Sequence, residues 1–164
     1  MKDILNHLFQ HKTLTKGQAQ EILRNITQGL YNECQMASFF TVFSMRPITV
    51  EELSGFRETL LDLCMYVDLS NYETIDMCGT GGDNKNTFNI STLASFVVAG
   101  TGIKVAKHGN YAVSSGCGSS NVLEKLGYKF KTDVELIKEE LEKANICFLH
   151  APLFHPAMKN VGPV

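Results

Sequence analysis

Residues 78–92, CGTGGDNKNTFNIST, gather more potential chemistry than any other stretch of the chain. Gly79, Gly81 and Gly82 follow an apolar, strand-like run from Ile75 to Cys78, and Asp83, Thr87, Asn89, Ser91 and Thr92 come next. A helix-like stretch, Leu93 to Ala99, completes the unit. Glycine lets a backbone approach a ligand closely. A helix start offers unpaired N–H groups and the positive end of the helix dipole. Strand, glycine turn and hydroxyl-rich helix start together form a cradle for phosphate. A tight turn with a Thr or Ser cap would use the same residue types. The density of the cluster favours the cradle, because three glycines, an acid, an amide and three hydroxyls converge on one helix start.

Two better-known phosphate motifs are excluded. No Lys-Ser or Lys-Thr follows the glycines, as a P-loop requires. Asn84 stands where a dinucleotide fingerprint has its third glycine.

A second loop repeats the design. Residues 103–107, IKVAK, read as a short strand, with His108-Gly109-Asn110 as a turn. A Gly/Ser loop through Ser114, Ser115 and Ser119 then leads to a helical run from Asn121 to Leu126. In an open α/β sheet, ligands bind outside the carboxyl ends of the strands, so two neighbouring loops of this kind would face one crevice. Lys107 would supply a solvent-facing cation and the serines hydrogen-bond donors. The expected ligand is a phosphorylated small molecule.

The elements that position these loops change character near residue 70. Before it, apolar residues recur at helical spacing, and helices are expected near 2–10, 16–28, 31–44 and 50–66. Thr15 with Gln18 and Thr49 with Glu52 read as capping boxes. Ser70-Asn71-Tyr72 reads as a linker into alternating strands and helices. Thr132 and Glu135 would cap a helix through Lys143, and Ile146 to Leu149 would be a buried strand. The expected fold is α/β: a small all-helical domain over residues 1–70 joined to a mostly parallel α/β domain over 71–164. Met36, Phe39, Phe40 and Phe43 read as core or interface, and His150 and His155 lack metal-site spacing.

Composition narrows the function classes. At 44% hydrophobic and 20% charged residues, the 164-residue chain falls in the globular range. A net charge of −2 without a basic stripe argues against nucleic-acid binding. No window has the apolar length of a membrane span, and Met1-Lys2-Asp3 starts no secretory signal, so a cytoplasmic location is expected. Five scattered cysteines without Cys-x-x-Cys indicate neither zinc nor a disulfide scaffold.

Several motifs together resemble the anthranilate phosphoribosyltransferase family. They are Gly79-Thr80-Gly81-Gly82-Asp83, Thr87 to Thr92, Val105-Ala106-Lys107-His108-Gly109-Asn110, Val122 to Gly127, Phe148 to Pro152, and His155 to Lys159. The resemblance implies a nucleoside phosphorylase/phosphoribosyltransferase-like fold and transfer of phosphoribose from phosphoribosyl pyrophosphate (PRPP) to anthranilate, in tryptophan biosynthesis. It implies donor contacts from Gly79, Gly82, Asp83, Thr87, Asn89, Ile90, Ser91, Thr92, Lys107, His108, Gly109, Asn110, Ser114, Ser115 and Ser119. Ser91 would reach a Mg²⁺, and Gly79 and Asn110 would also touch anthranilate. No side chain is implied as a covalent nucleophile or an obligatory general base. A homodimer through the helical domain is implied as well. Tyr111 stands where the family usually has Arg, and its ring could stack on an aromatic acid. Family members are about twice as long, so the chain reads as an amino-terminal half, expected to be inactive alone. The alternatives are a pyrimidine-nucleoside-phosphorylase-like enzyme and a non-catalytic binding fragment.

Overall fold

A computed structural model describes residues 1–79, 87–112 and 116–161. They divide into two compact units: Met1–Met65 with His155–Val164, and Tyr66–Phe154.

The first unit holds α1 (Lys2–Phe9), α2 (Lys16–Thr27), α3 (Glu33–Met45) and α4 (Val50–Leu63). Local sequence starts three of them. Thr15 with Gln18, Asn32 with Gln35, and Thr49 with Glu52 each form a reciprocal capping box. The first and third match the expectation, and the Asn32 box is an addition. Leu8, Ile22, Ile26, Met36 and Phe39 form the centre of the buried core. Phe39, Phe40, Phe43 and Phe56 meet edge to face around it. Helices α2 and α4 approach so closely that a Cβ on Gly55 would lie 2.5 Å from the Lys16 carbonyl oxygen. A 3-10 turn, Pro156–Asn160, packs against both of these helices.

Glu52 locks this unit. Its side chain is fully buried and accepts from the Leu14 and Thr49 amides, at 2.9 Å each, while Arg46 grips both carboxylate oxygens at 2.6 and 3.0 Å. Burial opposes the charged carboxylate, but Arg46 and the amide donors outweigh it and bring the pKa down to about 2.

The second unit starts with a 3-10 turn at Ser70–Tyr72, where a linker was expected; the Tyr72 hydroxyl donates to Glu142. Then follow α5 (Ile90–Gly100), β1 (Val105–Gly109), α6 (Ser119–Lys125), α7 (Val134–Ala144), β2 (Ile146–His150) and α8 (Ala151–Phe154). Strands β1 and β2 are parallel, with Val105 opposite Ile146 and Gly109 opposite His150. Side chains alternate across the sheet. Val105, Ile146 and Phe148 join Ala99 of α5 and Leu123 of α6, whereas Ala106, Cys147 and Leu149 join Ile137 and Leu141 of α7 and Phe154 of α8. Helices thus cover both faces, as a parallel sheet requires. A helical amino-terminal domain and a small parallel α/β domain are the architecture.

Three local expectations are corrected. The strand expected from Ile75 to Cys78 is, among the described residues, a single parallel bridge from Ile75 to Val105. The ladder stops because the His108 amide donates to the Asp76 side chain and the Met77 carbonyl accepts from the Lys107 ammonium. The strand expected at 103–107 runs from Val105 to Gly109, set by its register with β2, so His108 and Gly109 belong to it and not to a turn. Asp133, not Thr132, caps α7, accepting from the Glu135 and Leu136 amides. At the other end of α7, the Lys104 ammonium caps the Leu141 carbonyl at 3.1 Å, where the helix dipole favours a cation.

Candidate functional site

The carboxyl end of β1 carries Lys107, His108 and Gly109, with Asn110 following. Lys107 shares the face of Val105 and is buried, with 2% of its surface exposed. Its Nζ donates to the carbonyls of Met77 at 3.3 Å and His108 at 3.1 Å. Burial lowers its pKa, partly opposed by nearby Cys78 and Asp76. The solvent-facing lysine expected from the sequence is therefore corrected: strand alternation turns the ammonium inward, where it fastens the segment before Gly79 to β1.

His108 turns outward. Asp76 accepts its backbone N–H through Oδ1 at 3.1 Å and faces its Nδ1 through Oδ2 at 3.0 Å. Asp76 stands within an otherwise apolar run, and an acid at that position is the sequence signal for this contact.

Gly79 lies against the start of α5. A Cβ built on it would stand 3.0 Å from the Ser91 hydroxyl oxygen, so the glycine backbone and that hydroxyl are neighbours. Helix α5 starts without a side-chain cap of its own. Asn89, at the N-cap position, instead sends its side-chain N–H to the Cys117 carbonyl at 3.3 Å. That bond ties the helix start of the first loop to the second loop across 28 residues. Thr87 and Ile90 are exposed, Ser91 is half-buried, and Thr92 is buried.

Helix α6 holds the described residues that flank the second loop. The Asn110 carbonyl accepts from the Ser119 hydroxyl at 3.3 Å and the Ser120 amide at 3.2 Å. The Asn121 side-chain oxygen accepts from Ala112 and Gly118, gathering both ends of the intervening loop. Gly109 leaves no room for a side chain, since a Cβ would meet the Ser119 oxygen at 2.6 Å. Tyr111 packs edge-on against His150 and donates its hydroxyl to Glu124. The roles of Ser120, Asn121 and His150 were not foreseen, because their partners lie on other elements.

The sequence-predicted residues thus fall into two linked groups: Gly79, Asn89 and Ser91 at the first loop, and Lys107, His108, Gly109, Asn110 and Ser119 at the second. Gly82, Asp83, Ser114 and Ser115 lie outside the described residues. Among the described residues no three His, Cys, Asp or Glu side chains converge as a metal cluster. No described helix is long and apolar enough to cross a membrane.

This arrangement, a helical bundle followed by a small parallel α/β unit, has known relatives. A model of the glycosyl transferase family, a/b domain, matches residues 71–164, and a model of that family's helical bundle domain matches residues 2–64. The chain belongs to this glycosyl transferase family.

Within it, the whole chain is similar to anthranilate phosphoribosyltransferases. It is 64% identical to that of Flavobacterium johnsoniae and 60% identical to that of Christiangramia forsetii, covering 100% of this chain and 50% of each relative. Among solved structures it is similar to the anthranilate phosphoribosyltransferase of Thermus thermophilus, with 33% identity and a TM-score of 0.83 over 97% of this chain and 48% of that one. It is also similar to the Saccharomyces cerevisiae enzyme in complex with PRPP and Mg, with 28% identity and a TM-score of 0.79 over 92% of this chain and 46% of that one. The chain spans about half the length of the curated relatives it matches.

Proposed function

We propose that this chain carries the donor-binding part of an anthranilate phosphoribosyltransferase. The reaction moves the phosphoribosyl group of PRPP to the amino group of anthranilate, giving N-(5-phosphoribosyl)anthranilate and diphosphate, in tryptophan biosynthesis. The observation that carries the reading is the bond from the Asn89 side chain to the Cys117 carbonyl, which ties the start of α5 to the residues just before α6. The likeness to a yeast relative solved with PRPP and Mg supports the donor, and another yeast structure, of a variant with 4-fluoroanthranilate, supports the acceptor.

Breaking the bond from the anomeric carbon to diphosphate builds positive charge on the ribose and negative charge on the leaving group. The required work is therefore positioning and charge neutralisation, not covalent catalysis. Gly79, Asn89, Ser91 and Thr92, with Gly82, Asp83, Thr87 and Ile90 of the same stretch, would hold the donor. His108, Gly109, Asn110 and Ser119, with Ser114 and Ser115, would complete that site. Lys107 would act as a buried positive charge beneath it. Gly79 and Asn110 would also meet anthranilate. The anthranilate amine is neutral and nucleophilic, so it needs no obligatory side-chain base.

Mg²⁺ prefers oxygen ligands and keeps several waters. The half-buried Ser91 hydroxyl, standing beside the open backbone of Gly79, fits one such position. Bound there with diphosphate oxygens, the ion would supply neutralisation of the leaving group.

The helical unit would form a homodimer, and the protein would act in the cytoplasm. The 164-residue chain alone would transfer little or no phosphoribose. An assay of transfer to anthranilate, by the chain alone and together with the remaining half of a close relative, tests the reading. Activity only in the combined sample is expected. Absence of transfer in both would contradict the proposal.

A further inference from the structure

His150 is buried at the carboxyl end of β2, with 4% of its surface exposed. Its ring stacks on Phe130 at 4.4 Å and 18°, and Tyr111 meets it edge-on at 4.7 Å. A phenylalanine would fill the same stack. The imidazole adds one polar contact: Nδ1 lies 2.8 Å from the hydroxyl oxygen of Ser120, itself 1% exposed. Burial lowers the His150 pKa and so favours the neutral ring, despite the opposing pull of Glu124.

Ser120 stands in the first turn of α6 beside Ser119. Both bond to the Asn110 carbonyl, one through its amide and the other through its hydroxyl. Gly109 lies opposite His150 in the sheet, and its backbone is pressed against the Ser119 hydroxyl. The imidazole therefore links β2, α6 and the end of β1 at one point.

We propose that His150 is a positioning residue which, through the Ser120 hydroxyl, fixes the first turn of α6 against the Asn110 carbonyl at the end of β1. Its relevance to substrate rests on the donor-site reading above, but the fixing itself needs no ligand.

The test is amide hydrogen exchange by NMR on the full chain in three variants. In His150→Phe and Ser120→Ala, the backbone amide at position 120 should exchange about tenfold faster or more, as loss of one buried hydrogen bond implies, while α7 amides keep their wild-type rates. His150→Asn, whose side-chain oxygen can stand in for Nδ1, should remain within about threefold of wild type. An unchanged Ser120 rate in His150→Phe overturns the proposal. So does failure of the Asn variant to rescue, or equal acceleration throughout α7, which would make His150 an ordinary core residue. If His150→Phe does not fold, Ser120→Ala decides by the same criterion. Titration of the wild-type chain with PRPP and Mg²⁺ is the separate arm: no binding there would sink the donor reading and leave the exchange result standing.

Discussion

Asp76 holds His108 at two points, accepting its backbone N–H at 3.1 Å and facing its Nδ1 at 3.0 Å. The carboxylate has taken the place of a ladder carbonyl, and in doing so it has fixed which way the imidazole faces. With the Nδ1 proton directed at Asp76, Nε2 is the nitrogen left as acceptor.

This relationship predicts the tautomer. Nitrogen NMR of the neutral His108 ring should show Nδ1 protonated in the wild-type chain, and Asp76→Asn should shift the population towards the Nε2–H form. Both groups are exposed enough that the pair contributes only about 1 kcal/mol or less, so the melting temperature should hardly move. A wild-type ring already in the Nε2–H form would remove Asp76 from this role.

Lys107→Met should be felt in stability as well as binding. The substitution strips the donor from the Met77 and His108 carbonyls, and an unsatisfied buried group costs about 1–3 kcal/mol. A loss of several degrees in melting temperature is expected in thermal denaturation. A variant as stable as wild type would show that the ammonium fastens nothing.

Glu52 makes the helical unit acid-sensitive. Its pKa is about 2 in the folded chain against an ordinary value of 4.5, so its stabilisation is complete above the unfolded value and disappears as pH falls through the folded one. At neutral pH the difference corresponds to about 3 kcal/mol. Urea midpoints measured from pH 6 down to pH 2 should fall through this window in wild type and lose most of that slope in Glu52→Gln. Parallel profiles in the two chains would assign the acid sensitivity elsewhere.

What the sequence yielded and what it withheld divide by distance along the chain. The Thr15 and Thr49 capping boxes span three residues, and they could be read directly. The helices that follow the two glycine-rich stretches, α5 and α6, were likewise legible, since helix-start chemistry is local. Lys107 was misjudged because its direction depends on a strand register fixed by β2, about forty residues later. Asp76 with His108 and Ser120 with His150 are 32 and 30 residues apart, so only the folded chain brings each pair together.

Under the proposed function, Gly79, Asn89 and Ser91 line a site for a Mg²⁺-bound sugar diphosphate. Calorimetric titration of PRPP into the wild-type and Ser91→Ala chains, with and without Mg²⁺, tests it most directly. Saturable, Mg²⁺-dependent binding to wild type is expected, weakened about ten- to hundredfold in the variant through loss of a hydroxyl contact to charge. Equal affinities in the two chains, or no saturable binding to wild type, would contradict it.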